Sequence, residues 1–444
     1  MIDEKIFRAY DVRGTYPDQL NEEAAKRIAL AFAEKIKPKT VVVGRDLRDA
    51  SEKMESVVKE ALALRGIKVY DAGAMTNPMM GFAVFNYDYD GGIILSASHN
   101  PIGYGGLKMF KKGAVTVPGD DAEIKKFSLE GVPSYSGEQG LIEKIDIVDD
   151  YVKLIKSTVD LSRLEHKKIL FDPMYGSVNL IIDKILKGLP AERIDLHNKA
   201  DKNFGGLKEP NPYNYEMQRE ALELMKSQKP DFGVMWDGDG DRVFFIDELG
   251  NFIEAPYITA VLAEHILKSK PRSKIVCDTR IIWPIEKAIL KYGGELVETR
   301  SGYRFLKEKM IEINSPFAAE TTAHYFFEET RNMDNGIIPM LMVWSLLSDK
   351  KCTLSELVAP YKKNHYMMEE VKKEVKDIDE VLKNVSKEYK GYNFHNLDGL
   401  SIISDQFRFN LRPSNTEPVI KLNMEAKGKE ILEREKNKII KLMK

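Results

Sequence analysis

A chain of 444 residues, 43% apolar and 31% charged, can bury several cores, because compact domains usually run to about 100–150 residues; three or four domains are expected. Lys and Arg number 67 against 69 Asp and Glu, a formal charge of -2, so no global field draws the chain onto nucleic acid or an anionic membrane, and any anion must be met locally. Two cysteines, Cys277 and Cys352, in no ligand-like spacing disfavour disulfides and zinc sites, and the charged first residues, with no run of about 18 apolar residues, predict a cytoplasmic protein without signal peptide or membrane span.

Three times the sequence repeats one plan. A short apolar strand ends at an Asp, an amphipathic helix and a second strand follow, and after more helix a third strand runs into a polar loop. The opening strands are Thr40–Asp46, Lys168–Asp172 and Lys274–Asp278, too apolar for a one-sided sheet and therefore parallel and covered on both faces. The helix after the first is capped by Ser51, carries the stripe Met54, Val57, Val58, Ala61 and Leu62, and ends at Gly66. The second strands are Ile67–Asp71, Arg193–His197 and Glu295–Thr299, and the third are Gly92–Leu95, Phe232–Trp236 and Pro316–Ala319.

Beyond residue 365 the plan changes to a charge-rich amphipathic stretch, a hairpin with alternating Phe407, Phe409 and Leu411, another strand and a final helix. That reads as a small α+β domain, with the charges from Glu369 to Lys390 forming a solvated helix face. The predicted fold is α/β: three similar α/β domains with mixed, largely parallel sheets, bounded at 1–150, 151–252 and 253–365, then the α+β domain at 366–444.

Open α/β sheets place ligands beyond the carboxyl ends of their strands, so the loops after the third strands carry the chemistry. Asp237, Asp239 and Asp241 alternate with Gly238 and Gly240, which lets the backbone curl and bring three carboxylates to one point. Oxygen-only ligands select a hard cation, and open positions suit one Mg2+ that also touches phosphate. A solvated acidic turn, or a calcium loop with Glu248 as twelfth ligand, are the other readings; against the latter, Arg242 stands where that loop needs glycine.

Ser96-Ala-Ser-His-Asn-Pro101 stands before Gly103-Tyr-Gly-Gly106 and Lys108. Ser98 could carry a covalent group if His99, Lys108 or a metal favoured its alkoxide; a plain Asn-Pro turn is the alternative. Strand alternation gives Ser96 and Ser98 the same facing. Arg412, Ser414, Asn415 and Thr416, stiffened by Pro413 and Pro418, offer a guanidinium fork, two hydroxyls and an amide, which is phosphate-cradle chemistry or an ordinary polar turn. Glu320, Thr322 and His324 could bond sugar hydroxyls. Arg8, Asp11 and Arg13 crowd Phe7-Arg-Ala-Tyr-Asp-Val-Arg-Gly14, where an anion-facing arginine competes with a structural ion pair.

Together these loops, in this order, resemble those of the phosphohexomutases that work through a phosphoserine, in the phosphomannomutase/phosphoglucomutase branch. The resemblance spans essentially the whole chain: the Phe7–Gly14 signature, the Ser96–Pro101 phosphoserine loop, the Asp237–Arg242 magnesium loop and the Arg412–Pro418 phosphate-binding loop. It implies four domains around a central cleft and exchange of phosphate between the 1- and 6-positions of a hexose such as mannose or glucose. Ser98 would be phosphorylated and would ligate Mg2+ beside the three Asp, and a hexose 1,6-bisphosphate would be intermediate and activator. By the same matching, Arg13 and Lys108 stabilise the moving phosphoryl group, and His324, with His99, is a candidate acid or base. Glu320 and Thr322 hold the 3- and 4-hydroxyls, Arg242, Arg300 and Tyr303 position the substrate, and Arg412, Ser414, Asn415 and Thr416 grip the phosphate that is not reacting. The implied partners are hexose phosphates, with no nucleic acid and no membrane, in a monomer or homodimer. Phosphoglucosamine mutase, a metal-dependent sugar phosphatase and a non-catalytic sugar-phosphate sensor are the rival functions.

Some positions depart from the family pattern. Thr321 replaces the residue that separates branches, Ala319 and Ala323 stand for glycines, Tyr303 for a histidine, Asn335 for an acid and Gly105 for an asparagine.

Overall fold

The computed structural model describes residues 2–414 and 419–443. The chain divides into two compact units, Met1–Ile253 with Glu329–Leu354, and Glu254–Glu328 with Ser355–Lys444.

The first unit contains two mixed sheets. One runs Val12–Thr15, Tyr104–Lys111, Gly91–Leu95, Thr40–Arg45, Lys68–Ala74 and Ile142–Lys144 in spatial order. Thr40–Arg45 pairs in parallel with both neighbours, while Tyr104–Lys111 folds back antiparallel on Gly91–Leu95. Helices cover both faces, so the middle of the central strand is apolar on both: Val41 and Val43 join the core with the helices Glu22–Ile36 and Asp49–Ala63. Val42 lies with Met80 and Val84 of the helix Asn77–Asn86. The other sheet orders Phe252–Ile253, Val243–Asp247, Phe232–Trp236, Lys167–Asp172 and Ala191–Asp195, again parallel at its centre and closed by an antiparallel return.

The second unit repeats the motif, with Lys274–Asp278 parallel to Glu295–Thr299 and Phe317–Ala319, and Tyr325–Phe327 returning antiparallel. It continues into an antiparallel sheet built on Phe407–Pro413 and Val419–Ala426, backed by the helices Ile378–Glu388 and Lys429–Leu442. The α/β class, with three similar motifs and a differently built C-terminal part, follows.

Each opening strand ends in the same device. The Asp at its end accepts the backbone N–H two residues on: Arg48 to Asp46 at 3.0 Å, Met174 to Asp172 at 2.9 Å, Arg280 to Asp278 at 3.0 Å. In two of the three repeats the second carboxylate oxygen reaches the loop after the third strand, accepting from Ala97 N at 3.2 Å and from Thr321 N at 2.5 Å. A short anionic acceptor thus fixes the loop to the sheet.

Three local expectations are corrected. The first repeat's helix starts at Asp49 with Arg48 as its N-cap residue, and Ser51 lies buried inside it, because the Asp46 turn sets the helix start before a hydroxyl can. The run Glu369–Lys390 is no single solvated helix: Val371–Glu374 is a strand on Val419–Ala426, and Glu370 is largely buried. Phe407, Phe409 and Leu411 are buried, but so are Arg408, Asn410 and Arg412 between them, since both faces of that strand are covered.

Residues 329–354 belong with the first unit. Trp236 Nε1 donates to Gly336 O at 2.7 Å, Trp344 Nε1 to Glu165 O at 2.9 Å, and Asn335 Nδ2 to the Tyr151 hydroxyl at 2.8 Å. Trp236→Phe keeps an aromatic ring but loses part of the buried volume and strands a buried carbonyl, an expected cost of at least about 1–3 kcal/mol; the midpoint of urea unfolding measures it, and an unshifted midpoint would mean the bond adds nothing.

Candidate active site

The loop after Phe232–Trp236 curls through Gly240, which takes a left-handed φ of +73°, and closes with Gly240 N on Asp237 O at 3.1 Å. Asp237, Asp239 and Asp241 are buried to 1% exposure or less, and one ligand atom from each lies within 4.8 Å of the others. Lys108 Nζ donates to Asp239 and Asp241, each at 2.9 Å. Arg242 Nε reaches Asp237 at 3.0 Å, and Asn77 Nδ2 donates to Asp241 at 3.0 Å. Burial, then the charges of Asp241 and Asp239, push the Asp237 carboxyl well above the usual carboxylate range. Asp239 Oδ1 is buried with no hydrogen-bond partner among the described residues.

Three buried carboxylates against two cations leave negative charge in a low-dielectric site, which is costly without a further cation. The donor set is all oxygen, and it fits a hard divalent ion. Glu248 cannot complete a calcium loop, because the five-residue strand Val243–Asp247 rises about 3.4 Å per residue and carries it away from the turn.

The loop after Gly91–Leu95 meets this cluster at close range. A Cβ on Gly238 would come within 2.7 Å of Ser98 O, so glycine there permits the approach. Ser98 is buried and left-handed, with φ 50°. Its hydroxyl donates to Asp237 Oδ2 at 2.9 Å and lies 3.2 Å from His99 Nδ1; Arg242 Nη2 is 3.4 Å from it and also contacts His99 Nδ1. Ser96 is used differently: its hydroxyl donates to Asp239 at 2.7 Å and accepts Ser98 N at 3.0 Å. The left-handed residue breaks the strand alternation and separates the two serines. Arg13 donates to Asn100 Oδ1 and to Asp11 Oδ2, both at 2.5 Å, so it braces the same loop.

In the second unit, Glu320 Oε1 accepts from Arg280 Nη2 and from Gly302 N, each at 3.0 Å. His324 Nε2 lies 3.8 Å from Glu320 Oε2, with the Tyr303 ring 6.4 Å from its own. Thr322 is half-buried on the turn between them. Arg300 is half exposed, lies over Phe305 and is 3.9 Å from Asp398. Arg412 is buried and donates to Glu370 at 3.4 Å. Ser414 N bonds Val419 O at 2.9 Å; Asn415 and Thr416 lie outside the described residues.

Four family models match the chain in order: phosphoglucomutase/phosphomannomutase alpha/beta/alpha domains I, II and III at residues 4–131, 149–250 and 255–364, and the C-terminal domain at 366–442. The chain belongs to the phosphoglucomutase/phosphomannomutase family. A phosphomannomutase of Escherichia coli K12 is 34% identical over 436 residues, 95% of each chain. A Xanthomonas campestris protein described as phosphohexose mutases is 34% identical over 432 residues, 95% of each chain. The crystal structure of a phosphoglucomutase/phosphomannomutase family protein from Burkholderia thailandensis superposes with a TM-score of 0.90 at 25% identity, covering 100% of this chain and 97% of that one. As a phosphohexomutase the chain is an enzyme, which sets aside the reading as a non-catalytic sensor.

Sequence reasoning missed several residues that hold these candidate loops in place. Arg48, fully buried, donates to Ser98 O at 2.7 Å, Asn100 O at 2.6 Å and Pro101 O at 2.7 Å, with the Phe204 ring 5.0 Å from its guanidinium carbon. Arg280 pairs with Asp278 at 2.8 Å as well as with Glu320. Both sit two residues after a strand-end Asp, and that shared Asp-x-Arg was the available signal. Asn77 gave none.

A lysine cannot serve three carbonyls in a fixed fork. Arg48→Lys should therefore leave the protein folded while lowering kcat roughly 10–100-fold, the equivalent of one charge-assisted bond. Turnover at saturating substrate, with circular dichroism as control, measures this, and wild-type kcat would show that the fork does not position Ser98.

Proposed function

We propose that this phosphohexomutase carries its phosphoryl group on Ser98 and interconverts hexose 1-phosphate and hexose 6-phosphate through a 1,6-bisphosphate, which also serves as activator. The observation that carries this is the Ser98 hydroxyl at 2.9 Å from Asp237 in a buried triad of carboxylates. A hydroxyl so placed supports the role of phosphate carrier, because a phosphoryl group there lies beside Arg242 and Lys108 and beside any cation the triad binds. Mg2+ is the proposed ion, held by Asp237, Asp239, Asp241 and an oxygen of phospho-Ser98; it would supply charge neutralisation during transfer.

The chain's residues divide the remaining work. Arg48 and Arg13 hold the Ser98 loop, and Lys108 and Arg242 offset charge on the moving group. His99 lies near enough to Ser98 Oγ to pass a proton, and His324 is the candidate acid or base toward the sugar hydroxyl. Glu320, fixed by Arg280 and Gly302, with Thr322, Tyr303 and Arg300, would bond the sugar; Arg412, Ser414, Asn415 and Thr416 would grip the phosphate that is not reacting. In these terms residues 1–150 carry the phosphoserine loop, 151–252 the metal, 253–365 the sugar contacts and 366–444 the phosphate cradle. The names of the phosphomannomutase relatives support mannose phosphates as the first substrates to test. A reducing cytoplasm suits the two free cysteines, and no helix among the described residues is long and apolar enough to cross a membrane.

Ser98→Ala is expected to remove nearly all turnover and all phosphate incorporated from a hexose 1,6-bisphosphate, with Ser96→Ala affected far less; peptide mapping of the labelled protein decides. Label on Ser96 would move the carrier, and a fully active enzyme with no phosphoserine would overturn the mechanism. Net release of inorganic phosphate as the main product would favour a phosphatase. For the metal, Mg2+ should raise the melting temperature of chelator-stripped protein, and Asp239→Asn should abolish most of that rise; an equal rise in the variant would remove Asp239 from the ligand set.

A further inference from the structure

Within the charge-dense stretch after residue 368, one carboxylate turns inward. Glu370 precedes the strand Val371–Glu374, and its side chain is 15% exposed. Its Oε2 accepts from Asn423 Nδ2 at 3.1 Å and from Arg412 Nη2 at 3.4 Å, and its Oε1 lies 3.5 Å from Lys421 Nζ. Arg412 and Lys421 are register partners on neighbouring antiparallel strands, so their side chains leave one face of the sheet side by side. Asp398 lies 3.9 Å from Arg412 Nε, and that nitrogen is buried with no hydrogen-bond partner among the described residues. Burial raises the Glu370 carboxyl, but Arg280, Lys421 and Arg412 together pull it below the ordinary glutamate value, so it is an anion at neutral pH.

The guanidinium read as the phosphate grip thus arrives partly neutralised, which is an odd way to build a tight anion site. It is a sensible way to build one that must let go. A mutase working through a bisphosphate has to release the phosphate it grips, allow the sugar to turn, and grip the other phosphate, so ground-state affinity beyond what positioning needs lowers kcat. We propose that Glu370 is an internal counter-anion of the phosphate cradle, which aligns Arg412 and Lys421 and weakens their hold on phosphate, and that Lys421 is a further phosphate-binding cation. This rests on the reading of the loop from Arg412 as the cradle. No bond is made or broken by Glu370. It acts through the two cations, as a positioning residue.

Glu370→Gln retains the shape and a carbonyl acceptor for Asn423 and Arg412 while removing the charge. In the full chain, the dissociation constant for inorganic phosphate and the KM for hexose 1-phosphate should both fall, by roughly 5–20-fold for one nearby unit charge. kcat should fall with them, and labelled hexose 1,6-bisphosphate should exchange more slowly into an unlabelled pool. A part that only props Arg412 in place would give the opposite: phosphate affinity and KM worsening, with bisphosphate exchange unslowed. That result would overturn the proposal, as would unchanged constants. Lys421→Met, which stays readable if Glu370→Gln fails to fold, should weaken phosphate binding several-fold, and unaltered binding would likewise overturn the assignment. Arg412→Ala separates the premise: if it leaves phosphate affinity intact the cradle reading itself falls, whereas lost affinity there with no tightening in Glu370→Gln removes only the counter-anion.

Discussion

Like charges cannot be buried together without a reason, and three carboxylates within 4.8 Å of one another are the constraint around which the first unit is arranged. Each buried and uncompensated charge would cost several kcal/mol, so cations are brought to them, one of them from a distant strand. Lys108 comes from the strand Tyr104–Lys111 and Arg242 from the loop itself. The helix Asn77–Asn86 begins at the cluster, with Asn77 N on Asp239 O at 2.9 Å and its amide on Asp241. Glycine at 238 then admits the Ser98 loop. The nucleophile candidate is placed by the same electrostatic demand that gathers the acids.

The strand-end Asp is the second organising element, and its three copies show how one scaffold carries different loops. In the first and third repeats an arginine neutralises the Asp, and the carboxylate's Oδ2, which that arginine also reaches, ties down the loop after the third strand. The second repeat departs. Asp172 pairs with His197 at 2.9 Å, and its other oxygen is buried with no hydrogen-bond partner among the described residues. The loop there must curl around its own carboxylates. It is held instead from outside, by Ser177 N on Gly238 O and Asn77 N on Asp239 O, each at 2.9 Å.

What was legible in the sequence follows from this physics. The central parallel strands, buried on both faces, announce themselves as apolar runs, and Asp-Gly-Asp-Gly-Asp has few uses other than gathering carboxylates, so the α/β sheets and the acidic centre could be read. Arg48 was marked only by the Asp-x-Arg it shares with Arg280, because its contacts lie about fifty residues away in sequence, on carbonyls that any residue type would supply. The different uses of Ser96 and Ser98 were hidden because periodicity applies only while the chain stays extended, and Ser98 is left-handed. The helix Ile338–Lys350 is apolar nearly all round; that pattern says buried, but not in which core. Glu370 was lost in a charged run because composition does not distinguish the carboxylate that turns inward from those that stay in solvent.

The departures from the family pattern also acquire reasons. Thr321 gives both its N–H and its hydroxyl to Asp278, at 2.5 and 3.0 Å. A side chain committed to that tie supports the loop. Ala323 sits at φ 69°, a left-handed position where a methyl group costs on the order of 1 kcal/mol relative to glycine. The turn that imposes it is tight, with Glu320 N on His324 O and Ala323 N on Glu320 O, each at 2.9 Å. Asn335 uses its amide as donor to the Tyr151 hydroxyl and its carbonyl to cap Ile337 N and Ile338 N. An ionised Asp could cap but could not donate, so the change of residue alters what the turn can bond and leaves the start of the following helix intact. These three substitutions are thus absorbed where hydrogen bonds already fix the chain.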